Sequence, residues 1–125
     1  MNKTLNAIIV EDILLASDAL KMMLSDFPEV HVIGKSSTAE DAINKINHYK
    51  PDLVFMDIKL KNDSGFDVLN ACAGNYKFVI FTTAYDEFSL QAYQYQTIHY
   101  ILKPVDKEQL QVAISKAAAL LSLNH

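Results

Sequence analysis

The chain has no arginine, no tryptophan and a single cysteine, Cys72. Without arginine it lacks the planar fork that clamps a phosphate or reads guanine through two hydrogen bonds. Its basic residues are eleven lysines, set against fifteen acids, for a formal net charge of −4. That balance offers no basic stripe for direct contact with DNA or RNA. One cysteine allows no internal disulfide and no CxxC pair, which suits a reducing, cytoplasmic compartment. Glycine and proline number three each and charged residues make up 21%, which excludes a fibrous or disordered chain. Long apolar runs are also missing. Leu5–Val10 is too short for a signal-peptide core or a membrane span, and Glu11-Asp12 ends it. Half of the 125 residues are hydrophobic. That is enough for the core of one domain, taken as residues 1–125, and too little for two.

Short apolar runs recur along the chain, at Leu5–Val10, 30–34, 52–56, 77–82 and 98–102. Four are nearly unbroken and rich in Val, Ile or Phe, the mark of strands covered on both faces of a parallel sheet. Helical patterns lie between them. Leu15, Ala19, Met23 and Phe27 form a stripe at helical spacing, with Leu20 and Leu24 beside it. Thr38-Ala39-Glu40-Asp41 resembles a capping box before Ala42, Ile43 and Ile46. Ser64 suits the cap of a short helix carrying Phe66, Leu69 and Ala73. Asp86 suits the cap of a weaker one through Phe88, Leu90 and Tyr93. Asp106 suits the cap of a last helix with Leu110, Ile114, Ala117 and Leu121. Ser122 to His125 read as a fraying end or the start of a linker. Strict βα alternation predicts a doubly wound α/β domain of five parallel strands and five helices, and the arrangement expected for it is the flavodoxin-like order 2-1-3-4-5.

In such a sheet, ligands bind beyond the carboxyl ends of the strands. The first strand ends in Glu11-Asp12, the third in Asp57, the fourth in Thr82-Thr83 and the fifth in Lys103-Pro104. The second ends in Lys35-Ser36-Ser37 and lies to one side. Clustered carboxylates stay ionised only beside a cation, and oxygen ligands suit Mg²⁺. Lys103 can hold a phosphate oxygen, and a Thr hydroxyl can donate to it. A carboxylate in that company is a plausible phosphoryl acceptor. Each residue alone has an ordinary explanation. Asp12 suits a helix cap, Asp57 an Asx turn, Thr83 a loop hydroxyl bonded to its own backbone, and Lys103 a solvated strand end. Their coincidence at the right strand ends favours a site.

Along its whole length the chain resembles a response-regulator receiver domain of two-component signalling. The motifs are Ile8-Ile9-Val10-Glu11-Asp12, Leu53-Val54-Phe55-Met56-Asp57, Phe81-Thr82-Thr83-Ala84 and Tyr100-Ile101-Leu102-Lys103-Pro104. The stretch from Thr83 to Val105 is similar to receivers of the LytTR class of transcription regulators. The resemblance implies that Asp57 is the phosphoacceptor, and that Asp12, Asp57 and the Lys59 carbonyl bind Mg²⁺, with Glu11 acting mainly through water. It implies that Thr83 is the switch hydroxyl, that Lys103 pairs with the phosphoryl group across a cis Lys103-Pro104 bond, and that Tyr100 is the aromatic switch. Gly65 matches the glycine that turns the loop after the acceptor. Lys59 and Tyr85 stand where the family tunes loss of the phosphoryl group. Three departures stand out: Ile13-Leu14 after the acidic pair, Lys61 in place of a frequent proline, and Glu-Asp rather than Asp-Asp.

The resemblance further implies a sensor histidine kinase as donor. It implies a homodimer through the fourth helix, fifth strand and fifth helix, DNA contact only through a further domain, no membrane part, and no enzymatic turnover beyond self-phosphorylation and its reversal. A non-phosphorylated interaction module is the alternative. A dehalogenase-type phosphatase needs a second Asp where Lys59 stands, and a flavodoxin needs a hydroxyl-rich loop where Glu11-Asp12-Ile13-Leu14 would repel phosphate. Tyr93, Tyr95 and Tyr100 suit either an interface or the core edge. His31, His48, His99 and His125 have no metal-ligand spacing. Cys72 reads as a small buried hydrophobe.

Overall fold

The structure, a computed structural model, describes residues 4–123. Strands and helices alternate: β1 (Leu5–Val10), α1 (Leu14–Leu24), β2 (Val30–Ser36), α2 (Ala39–Tyr49), β3 (Leu53–Met56), α3 (Gly65–Ala71), β4 (Phe78–Thr83), α4 (Ser89–Ala92), β5 (Thr97–Leu102) and α5 (Lys107–Leu123). The strands make one parallel sheet, as the alternation predicts, in the expected order β2-β1-β3-β4-β5. β3 and β4 are buried at every residue and β1 at all but Asn6. That is why these three read as apolar runs and not as alternating patterns. β2 and β5 are the edges and are only partly covered. Each pairs inward with one slip of register, between Ala7 and Ile8 for β2 and between Val79 and Ile80 for β5.

The sheet separates two cores. Leu5, Ala7, Ile9, Phe55 and Ile80 face α1 and α5. Ile8, Val10, Val54, Met56, Val79 and Phe81 face α2, α3 and α4. Alternation along each strand sends neighbouring side chains to opposite layers. Cys72, just past α3, is fully buried in the second layer, the small hydrophobe expected of it.

The caps follow the sequence at three helices. Thr38 Oγ1 accepts from the Asp41 N–H at 3.2 Å, Ser64 Oγ from the Phe66 N–H at 3.1 Å, and Asp106 Oδ2 from the Gln109 N–H at 3.1 Å. α2 stops at Lys50, left-handed at φ 47°, just before Pro51.

Three expectations are corrected. In α1 the sheet buries Ser17, Leu20 and Leu24, while Leu15 is 81% exposed and Ala19 is outside. The helix has more apolar residues than one face holds, so periodicity alone does not choose among them. α4 is a single turn: Phe88 stands at its cap position without a side-chain bond, Asp86 does not cap it, and Leu90 and Tyr93 point outward. Only Ala92 is buried there, and the Thr97 hydroxyl takes its carbonyl, which closes the turn early. At the C-terminal end, Ser122 and Leu123 do not fray but continue α5, with Ser122 Oγ donating to the Ala118 carbonyl at 3.1 Å. Asn124 and His125 lie outside the described residues.

Candidate functional site

Pairing of the strands carries one residue past their ends and fixes the site backbone. The Glu11 N–H donates to the Ser36 carbonyl at 3.0 Å, the Asp57 N–H to Val10 at 3.1 Å and the Lys103 N–H to Thr83 at 2.8 Å. Residues as distant in sequence as Glu11 and Lys103 therefore meet at one sheet edge. Carboxylate oxygens of Glu11, Asp12 and Asp57 lie within 4.8 Å of one another. The Lys103 ammonium donates to Glu11 Oε1 and, at 3.0 Å, to Asp57 Oδ2. Glu11, Asp57 and Thr83 are buried and Asp12 is half-buried. The end of β2 stays outside this group, as its place in the order predicts.

Asp12 does not cap α1. Ile13 holds the cap position with no side-chain bond, and its N–H donates instead to Glu11 Oε2 at 3.1 Å. Glu11 thus spends one oxygen on the helix entrance and the other on Lys103. Asp57 Oδ1 is buried and has no hydrogen-bond partner among the described residues. A buried carboxylate oxygen left alone is costly, so this atom marks a place for a cation or a donor.

The charges confirm the crowding. Burial pushes the Glu11 carboxyl above the ordinary carboxylate range; Lys103 and the Ile13 N–H oppose that rise, and Asp57 adds to it. Burial alone would lower Lys103, yet its bonds to Glu11 and Asp57 outweigh that and hold the ammonium above the usual lysine range. Three acids and one lysine leave a formal −2. That donor set, all hard oxygen, fits a divalent cation such as Mg²⁺.

The Thr83 hydroxyl accepts weakly from the Tyr85 N–H, at 3.4 Å. The Tyr100 hydroxyl donates to the Tyr85 carbonyl, and its ring lies 5.9 Å from that of Phe81. Burial holds the Tyr100 hydroxyl above the ordinary tyrosine range. Tyr95 stacks on Phe66 at 5.4 Å, whereas Tyr93 is exposed. So of the three tyrosines, two cover the core edge and one faces solvent. The Lys103-Pro104 bond is cis, as the resemblance implies.

Gly65, at the end of the loop after Asp57, is also required by its surroundings. Its N–H donates to the Ile58 carbonyl at 2.6 Å, and any Cβ would stand 2.2 Å from the Asp57 carbonyl oxygen. The loop between β3 and α3 closes through a bridge of Lys59 with Ser64. Sequence reasoning missed a hollow of about 300 Å³ beside Glu11 and Lys103, walled by Ala16, Leu20, Met23 and Pro104. It also missed the part played by the Tyr85 backbone. No short motif announces either one.

Residues 7–115 match the response regulator receiver domain family. A sensory transduction protein LytT of Bacillus anthracis is 40% identical over 114 residues, 90% of this chain and 46% of that protein. The LytT protein of Enterococcus faecalis is 34% identical over 116 residues, 91% of this chain and 48% of its own length. The chain thus spans about half the length of the curated relatives it matches. Among solved structures, the signal receiver domain of a modulated diguanylate cyclase from Desulfovibrio desulfuricans G20 superposes with a TM-score of 0.83 at 27% identity, covering 98% of this chain and 100% of that one.

Proposed function

The chain belongs to the response-regulator receiver family of two-component signalling, and from that we propose that Asp57 accepts a phosphoryl group from a sensor histidine kinase, with Mg²⁺ bound beside it. The observation that carries this reading is Asp57 itself: one oxygen held by Lys103 at 3.0 Å, the other buried without a partner. Asp12, Asp57 and the Lys59 carbonyl would hold the ion, with Glu11 acting mainly through water. When bound, Mg²⁺ supplies positive charge against the oxygens of a transferring phosphoryl group.

Asp57 attacks the phosphorus, the bond from phosphorus to the kinase's histidine nitrogen breaks, and that nitrogen leaves with the electron pair. An acyl phosphate remains on Asp57. Lys103 turns from the carboxylate to a phosphoryl oxygen, and the Thr83 hydroxyl, now only accepting from Tyr85, donates to another. Moving Thr83 releases or recaptures Tyr100, which remodels the face made by α4, β5 and α5. A second copy pairs on that face. Residues 1–125 act as one receiver domain in the cytoplasm, and transcriptional output runs through a DNA-binding domain of LytTR type. The receiver family is not a family of catalytic enzymes, and the only turnover assigned to this chain is gain and loss of its own phosphoryl group. Among the described residues no helix is long and apolar enough to cross a membrane.

The test is intact mass after phosphoramidate with Mg²⁺. Wild type should gain about 80 Da, one phosphoryl group, and Asp57→Asn should gain nothing. No gain on a folded wild type would overturn the reading and favour a non-phosphorylated interaction module.

A further inference from the structure

The loop after β4 meets the loop after β3 where the side chain of Lys59 reaches two aromatic rings. The Lys59 ammonium lies 4.1 Å from the centre of the Tyr85 ring and 5.6 Å from that of Phe88. Tyr85 and Phe88 meet edge to face at 6.3 Å, and Phe88 meets Phe66 in the same way at 6.3 Å. Phe66 directly follows Gly65, the residue seated on the Asp57 carbonyl. Lys59 is exposed and stands two residues from Asp57, yet it forms no ion pair with Asp57 or with the other carboxylates of the site. Its charge is spent on the aromatic faces.

Tyr85 is also the residue on which Thr83 and Tyr100 converge. Its N–H meets the Thr83 hydroxyl and its carbonyl receives the Tyr100 hydroxyl. Both are backbone bonds, which any residue can offer at this position. The ring is therefore free for a separate task. α4 is only one turn long and buries only Ala92, so beyond the Tyr85 backbone bonds and Phe88 on Phe66, little else anchors residues 84–88.

We propose that Lys59 and Tyr85 form a positioning clamp: the ammonium on the ring ties the loop after β4 to the loop after β3 and so holds the Tyr85 backbone where it captures Tyr100. Loss of the cation loosens the Tyr85 carbonyl and shifts Tyr100 toward its released position. The population shift is about two- to five-fold, the size of an exposed cation–π contact. The effect on phosphoryl uptake rests on the receiver reading; the effect on Tyr100 does not.

The test uses the whole chain labelled with 3-fluorotyrosine, with the Tyr100 resonance assigned by Tyr100→Phe. Lys59→Met keeps the stem and removes the charge; Lys59→Arg keeps a cation. In Lys59→Met and in Tyr85→Leu the Tyr100 fluorine resonance should move or split, and Lys59→Arg should match wild type, all at similar melting temperatures. An unmoved resonance in Lys59→Met, or Lys59→Arg as disturbed as Lys59→Met, overturns the clamp. Uptake from phosphoramidate is the second readout: both disrupting variants should change its rate by about the same two- to five-fold factor, and Lys59→Arg should restore it. A wild type that takes up no phosphoryl group overturns the receiver reading, and the fluorine spectra alone then decide on the clamp.

Discussion

A methyl group added at Gly65 would stand 2.2 Å from the Asp57 carbonyl oxygen and 2.9 Å from Met56 Cγ. The first neighbour is backbone and cannot swing away. Gly65→Ala should therefore cost about 3 kcal/mol, the upper part of the usual overpacking range. Urea midpoints measure it, and a loss under about 0.5 kcal/mol would show that the α3 entrance gives way. The displaced atom belongs to Asp57, so phosphoryl uptake should fall in the same variant. Much at this scale was legible beforehand. Thr83 ends a strand and Glu11, Asp12, Asp57 and Lys103 stand just past one, and topology brings such ends together. The Lys59 contact was not, because a lysine near a strand end reads as solvated until an aromatic ring from another loop is placed beneath it. Gly65 is legible as the glycine of the loop after Asp57, but the close approach of a backbone oxygen that also requires it is a fact of tertiary structure.

Among the elements, the strands announced themselves and the helix faces did not. A parallel strand covered on both sides needs only an apolar run, and β3 and β4 supply one. α1 has more apolar side chains than one face can bury, so spacing alone does not tell which of them the sheet covers. α4 had caps and hydrophobes in its sequence but no consistent spacing, and only one turn forms. Such an element should open easily. Amides of residues 84–94 should exchange at least about ten-fold faster than those of β4 in deuterium-exchange mass spectrometry, since local stability follows buried apolar contact. Equal protection across both segments would mean that the aromatic packing around Phe66 and Phe88 anchors the turn more firmly than its length suggests.

The whole molecule should weaken in alkali, and Cys72 gives the sign. Burial pushes its thiol from an ordinary 9.0 to about 11. Between those values the unfolded chain loses this proton while the folded chain keeps it. Stability is therefore full below pH 9 and declines as pH rises through the folded value. Urea midpoints at pH 8.5 and pH 10.5 should fall further for wild type than for Cys72→Ala; equal falls would show that the thiol does not take part. Another consequence follows from the two layers of core. The aromatic residues around Tyr100 lie on one side of the sheet and α5 lies on the other. A dye on α4 would report directly on where Tyr100 sits. A dye on α5 would learn of it through the strands between, β5, which sends Tyr100 to one layer and Ile101 to the other, and β4, which sends Phe81 to Tyr100 and Ile80 to α5. Those two strands join the halves, and stiffening or loosening them should set how loudly one side hears the other.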